Sequence, residues 1–100
     1  MSCSEKSKQY IEELEHEKIM METQFAQIEQ VLQNGETKSR EEITQILSVY
    51  NNTSVQYQQL CADLISFIKI FNIEEKKDIR LYKLEEVTEL LAKAINELEN

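Results

Sequence analysis

The apolar residues of the chain recur at alternating gaps of three and four positions, the spacing that lines up one side of an α-helix. The first seam contains Ile11, Leu14, Lys18, Met21, Phe25, Ile28 and Leu32. It predicts a helix over residues 5–33. Lys18 is its one charged member, and its long side chain either reaches solvent or fixes register against an acid on another helix.

The middle of the chain has the longest seam: Ile43, Ile46, Tyr50, Thr53, Tyr57, Leu60, Leu64, Phe67 and Phe71. It predicts a second helix over residues 40–71. A neighbouring line of Leu47, Ser54, Cys61 and Ile68 makes the apolar face wider than a two-stranded coiled coil requires. Between the two helices, Gly35 can end the first in the left-handed conformation, and Ser39 with Glu42 forms a capping box that starts the second.

A third seam contains Leu81, Leu84, Thr88, Leu91, Ile95 and Leu98, and predicts a helix over residues 73–99. Val87, Leu90 and Ala94 widen its apolar face. Its start is less defined, because either Asn72 or Asp78 could cap it and nothing between Phe71 and Leu81 forces a turn.

Two all-α architectures therefore compete for a single domain over residues 1–100. One is an antiparallel three-helix bundle of long helices. The other is a helical hairpin whose second arm continues as a long coiled coil and forms a dimer. The wide apolar face of the middle helix favours the bundle, because that helix must then contact both neighbours.

Composition supports long helices and narrows the possible partners. Proline is absent and Gly35 is the only glycine, so helix breakers are missing and a glycine-rich phosphate loop cannot form. The net charge of -8 disfavours nucleic acid and an anionic membrane surface as direct partners. No apolar stretch is long enough for membrane insertion, and the first residues lack a secretory pattern. With two cysteines, Cys3 and Cys61, we expect a cytoplasmic or nuclear protein.

The sequence offers little catalytic chemistry. His16 is the only histidine and lies among glutamates, where a solvated side chain is the simpler interpretation. No spacing matches a metal site, and the paired carboxylates are typical of solvated helix faces. We therefore predict no catalytic, cofactor-binding or metal-binding residues and no enzyme activity. A line of aromatic side chains on the middle seam could hold an apolar ligand, but such a line is more often simple core packing.

Charge is absent from residues 43–62. The core of a protein interface is depleted in charge, because desolvating an ion costs several kcal/mol. The outer face of this stretch is therefore a candidate partner-binding site, made of Thr44, Gln45, Ser48, Asn51, Asn52, Gln56 and Gln59. Two other interpretations stay open: the neighbouring helices shield this face, or the genome favours Asn and Gln.

Part of the chain resembles tubulin-binding cofactor A, a family of small acidic three-helix tubulin chaperones. The likeness lies in the run at 17–22, the turn around Gly35 and the following Ile46-Leu47. The loop spacing differs by several residues, so no binding residue is carried over. Small kinetochore and vesicle-tethering subunits have similar helical patterns.

We expect a non-enzymatic protein–protein interaction module, a small helical subunit or adaptor of a larger complex. Its partner would be another protein with a helical or basic surface, or a second copy of the chain. The alternative is a small monomeric chaperone that sequesters one client, a shape that the likeness to cofactor A implies. A ligand carrier is the third possibility.

Overall fold

A computed structural model describes residues 3–34, 39–70 and 80–99. Within these ranges the chain forms three helices that all pack against one another: α1 (Cys3–Gln33), α2 (Arg40–Ile70) and α3 (Leu84–Glu99). The molecule is elongated, about 60 Å long and 20 Å across. The prediction of an all-α three-helix bundle is confirmed.

Ring contacts show that α1 and α2 run antiparallel. The Tyr10 and Phe67 rings are 5.1 Å apart near one end, whereas the Phe25 and Tyr50 rings are 5.9 Å apart nearer the other. The return chain then runs antiparallel to α2, since Tyr82 contacts Tyr57 while Leu84 contacts Tyr50. All three helices therefore alternate in direction.

The predicted cap of α2 forms as expected. The Ser39 hydroxyl accepts the backbone N–H of Glu42 at 3.2 Å and donates to the Glu42 carboxylate at 3.1 Å. The Ser39 carbonyl also accepts the N–H of Ile43. The first of these bonds satisfies the Glu42 N–H, which has no backbone partner within the helix. The predicted turn at Gly35 lies outside the described residues.

Both long seams are confirmed as the inward faces of their helices. In α1 the buried members are Ile11, Leu14, Phe25 and Ile28, and in α2 they are Ile43, Tyr50, Thr53, Tyr57, Leu60 and Leu64. Cys61, on the neighbouring line, is buried as well. The last predicted member, Phe71, lies outside the described residues.

The core divides into two parts because α3 is short. Its 16 residues reach about 24 Å, while the 31 residues of α2 reach about 46 Å. One part lies under α3 and is built around Phe25, Tyr50, Tyr57 and Val87. In the described part of the chain, the other lies between α1 and α2 and contains Ile11, Leu14, Leu60 and Leu64.

The third helix begins at Leu84, so the prediction of helix was wrong for residues 80–83. The backbone N–H of Tyr82 donates to the Tyr57 hydroxyl at 2.7 Å instead of to a carbonyl one turn earlier. This tertiary hydrogen bond competes with helix formation. Leu81, placed on the third seam by its spacing, precedes the helix and is 62% exposed.

The break at residues 80–83 also excludes one continuous helix through α2 and α3, and with it the long coiled-coil arm. The predicted helix start at residue 73 and the two candidate caps, Asn72 and Asp78, lie outside the described residues. The bundle is held together by packing of α3 on both other helices.

A chain of hydrogen bonds ties the three segments together around the Tyr57 hydroxyl. This hydroxyl accepts the Tyr82 N–H and donates to Glu22 of α1 at 2.7 Å. The same carboxylate accepts the Lys18 ammonium at 2.8 Å. Among the described residues, Lys18 therefore pairs with Glu22 on its own helix and not with an acid on another helix. Glu22 in turn links α1 to α2 through the Tyr57 hydroxyl. The Tyr82 hydroxyl donates to Glu29 at 2.7 Å, which fastens the segment before α3 to α1.

These contacts predict a loss of stability at alkaline pH. Burial, followed by the hydrogen bond to Glu29, raises the pKa of Tyr82 from 10.0 to about 12. A group with a raised folded-state pKa stabilises the fold below its unfolded pKa, and this stabilisation is lost as pH rises to the folded value. The free energy of unfolding measured in denaturant should therefore fall between about pH 10 and pH 12.

The Tyr82→Phe variant identifies the group responsible. Its stability should fall less steeply with pH over this interval than that of the wild type, because one titrating hydroxyl is missing. Parallel denaturant titrations followed by circular dichroism measure both slopes. Equal slopes would show that Tyr82 does not cause the alkaline loss.

Candidate functional site

The charge-free stretch, residues 43–62, lies wholly within α2 and has one buried and one exposed side. The buried side faces α1 and α3. The exposed side carries every one of the seven candidate residues: Thr44, Gln45, Ser48, Asn51, Asn52, Gln56 and Gln59. At about 100° per residue they occupy roughly 140° of the helix circumference, opposite the buried seam.

Two valines lie on the same exposed side and are not among the seven predicted site residues. Val49 is 49% exposed and Val55 is 67% exposed. Val55 lies between Asn51, Asn52 and Gln59 on the helix surface. Helical spacing alone could have found both valines, because neither falls on the apolar seam. The seven candidate residues together with Val49 and Val55 are called the α2 face below.

Few polar groups of the α2 face are engaged within the chain. The Thr44 hydroxyl donates to the Arg40 carbonyl at 2.8 Å, a contact within its own helix. The Gln59 amide donates to the Asp63 carboxylate at 3.0 Å, at the end of the charge-free stretch. The face therefore presents neutral donors and acceptors around two aliphatic side chains.

The structure bears directly on one of the open interpretations. Were the neighbouring helices to shield the outer side of α2, its polar residues would be buried between helices. All seven are exposed beside α1 and α3. Shielding by α1 or α3 therefore does not account for the missing charges.

The aromatic residues of the middle seam form core contacts. Phe25 is fully buried and packs against the rings of Tyr50, Tyr57 and Tyr82 at centroid distances of 5.9, 5.2 and 5.5 Å. The Tyr50 hydroxyl donates to the Leu84 carbonyl at 3.0 Å. Within the described residues no buried side-chain nitrogen or oxygen lacks a hydrogen-bond partner.

A groove of about 750 Å³ lies between α2 and the start of α3, with Cys61, Ile65, Leu81 and Tyr82 among its lining residues. Burial raises the pKa of the Cys61 thiol. The thiol is therefore protonated at neutral pH, which makes it a poor nucleophile and a weak metal ligand.

The described residues contain no cluster of three or more potential metal ligands. His16 is exposed on α1. In the three described ranges no helix combines the length and the apolar character needed to cross a membrane. The candidate site is therefore the α2 face, an exposed helix surface without charged side chains.

Comparison with known proteins yields no match to this chain among protein-family models, curated proteins or solved structures.

Proposed function

We propose that the protein is a non-enzymatic protein–protein interaction module and that the α2 face contacts its partner. The observation that carries this proposal is an exposed helix surface without charge, in a chain of which 30% of the residues are charged. The protein would serve as a small helical subunit or adaptor of a larger complex.

The physical reason is the cost of desolvation. Moving an ion out of water into an interface costs several kcal/mol unless a counter-ion meets it. Neutral amides and hydroxyls can be covered at much lower cost when they find hydrogen-bond partners. Val49 and Val55 add apolar area, whose removal from water favours association at about 25 cal/mol per Å².

The exposed surface of α3 provides the contrast within the same protein. Its exposed charged side chains are Glu85, Glu86, Glu89, Lys93, Glu97 and Glu99. Such a face is well solvated and costly to cover. Removing water from the α2 face therefore costs less free energy than removing it from the exposed surface of α3.

A charge placed on the α2 face tests the proposal. The Asn52→Glu variant should lower partner capture from an extract of the source cells at least tenfold, because the new carboxylate would have to be buried without a counter-ion. Tagged wild type and variant are compared, and the captured proteins are quantified by mass spectrometry.

The matched control is Asn96→Glu, which makes the same change on the exposed surface of α3. It should capture the same proteins as the wild type. Equal capture by all three baits, or equal loss with both variants, would contradict a partner site on the α2 face. Circular dichroism of each variant establishes that the fold is retained.

The second candidate function is sequestration of one client by a monomer. The satisfied hydrogen bonds of the described core favour it, since such a core can fold without a partner. A chaperone of this kind would stay monomeric and fully folded at low concentration, and would bind its client one to one.

A further inference from the structure

The uncharged surface continues from α2 onto α1. Residues 19–33 contain two acids, Glu22 and Glu29, and no base. Both carboxylates accept tyrosine hydroxyls at 2.7 Å, Glu22 from Tyr57 and Glu29 from Tyr82. They are half-buried on the side of α1 that faces Tyr57 and the segment before α3. Every exposed residue of 19–33 is consequently uncharged.

A hydrogen bond joins the uncharged parts of the two helices at the edge of the core. The Thr53 hydroxyl of α2 donates to the exposed Gln24 side chain of α1 at 3.3 Å. Around Gln24, the spacing of three or four places Met20 and Gln27 on the same side of α1, and Val31 follows four residues later. Around Thr53 the same rule places Val49 and Gln56 beside the contact.

The α2 face together with Met20, Gln24, Gln27 and Val31 is called the two-helix face. It contains four exposed aliphatic or thioether side chains: Met20, Val31, Val49 and Val55. No charged side chain is exposed anywhere in residues 19–33 or 43–62, both of which the structure describes in full. Neutral amides make up much of the remainder.

The size of this face approaches that of a stable interface. Fifteen residues of α1 and twenty of α2 extend about 22 and 30 Å, and each helix is about 10 Å wide. The flat projection is then roughly 500 Å², and the relief of the side chains increases the accessible area beyond it. A standard interface covers about 800 Å² on each partner.

The chemistry of the face indicates its occupant. A charged partner surface would lose hydration without meeting any counter-ion, so the partner surface must also be neutral. Asn and Gln side chains each hold a donor and an acceptor, which makes a surface rich in them complementary to itself. Among the surfaces formed by residues 3–34, 39–70 and 80–99, the two-helix face meets both conditions.

Charge selects the same face for self-association. Each copy carries a net charge of -8, and two copies therefore repel one another through any acidic surface. Contact through the two-helix face directs both α3 helices, with their exposed glutamates, away from the junction. A twofold axis would let the same patch serve both copies.

We propose that two copies of this chain form a symmetric dimer through the two-helix face. The inference rests on the proposed function and names its partner as a second copy. The α1 and α2 helices of both copies would form the central layers, and the α3 helices would lie outside.

Purified protein tests the dimer without any other partner. Sedimentation equilibrium from about 1 to 100 µM should show a mass rising from 11.8 kDa towards twice that value. The Gln27→Glu variant should weaken dimerisation at least tenfold. Gln27 makes no contribution to the core, being exposed on α1, so the monomer fold is retained and checked by circular dichroism.

The matched control is Gln9→Glu. Gln9 is exposed on α1 and lies 18 positions before Gln27, which is about five turns, so both point to the same side of the helix. Gln9 lies among charged neighbours, outside the two-helix face. This variant should dimerise like the wild type, which separates a local effect from the added net charge.

Each result decides between the proposals. A wild-type chain that stays monomeric throughout would overturn the dimer, while loss of capture with Asn52→Glu would still support the proposed function. A dimer weakened equally by both glutamine variants, or by neither, would show that another surface joins the copies. Unchanged capture with Asn52→Glu would count against the proposed function by itself.

Discussion

Replacing Phe25 with alanine should leave the protein unfolded at urea concentrations at which the wild type is still folded. Phe25 is fully buried and its ring packs against three tyrosine rings, from α2 and from the segment before α3. Truncating a buried phenylalanine costs about 3–5 kcal/mol, through lost transfer free energy and the cavity left behind. Domains of this size are often stable by only about 5–15 kcal/mol.

The measurement is the free energy of unfolding from urea titrations followed by circular dichroism. Tyr10→Ala supplies an aromatic control, because Tyr10 is 46% exposed and has one ring contact, with Phe67. Its loss should cost about 1 kcal/mol, the value of an aromatic pair. If both variants lost the same stability, Phe25 would not be the centre of the core.

The second large effect is expected from Tyr57→Phe, which removes one oxygen atom and leaves the ring in place. The lost hydroxyl would deprive the half-buried Glu22 carboxylate of a donor and the Tyr82 N–H of its acceptor. Hydrogen bonds to charged groups contribute about 1.5–3 kcal/mol, and groups left without partners add a desolvation penalty. We expect a loss of about 2–3 kcal/mol in the free energy of unfolding.

Tyr50→Phe is the matched control for that experiment. The Tyr50 hydroxyl lies at 3.0 Å from the Leu84 carbonyl and 2.7 Å from the Thr88 hydroxyl, both uncharged. Its removal should cost about 1 kcal/mol, as is usual for a neutral hydrogen bond. A smaller loss for Tyr57→Phe than for Tyr50→Phe would contradict the linking role assigned to the Tyr57 hydroxyl.

Tyr57 links the core to the proposed interface. Its hydroxyl and that of Tyr82 hold Glu22 and Glu29 against the interior side of α1. The exposed surface of α1 over residues 19–33 stays uncharged because these two acids are half-buried against the tyrosine hydroxyls. Burial raises the pKa of Tyr57 well above its usual value, and its hydrogen bond to Glu22 raises it further, so the donor persists throughout the physiological range.

The long helices could be predicted because their information is local. The alternation of gaps of three and four fixes which side of α1 and α2 is apolar, and the Ser39 hydroxyl lies three residues before its Glu42 partner. Wide apolar patterning on α2 requires two neighbours, as a bundle provides. These features depend on residues within one or two turns of each other.

The start of α3 could not be predicted in the same way. The Tyr82 N–H donates to the Tyr57 hydroxyl, which lies 25 residues away in the sequence. No pattern of neighbouring residues predicts this hydrogen bond. Leu81 continues the spacing of the third seam but lies outside the helix and remains exposed. Long-range hydrogen bonding decided this boundary.

The sequence by itself determined the uncharged side of α2, since residues 43–62 contain no ion wherever they are placed. It could not determine that the exposed surface of residues 19–33 of α1 shares this property, because the sequence does not show which side of the helix buries Glu22 and Glu29. Only the tertiary structure turns both carboxylates towards tyrosine hydroxyls and places Gln24 beside Thr53. The reason is that burial of an acid depends on donors supplied by distant segments, whereas absence of charge needs no partner at all.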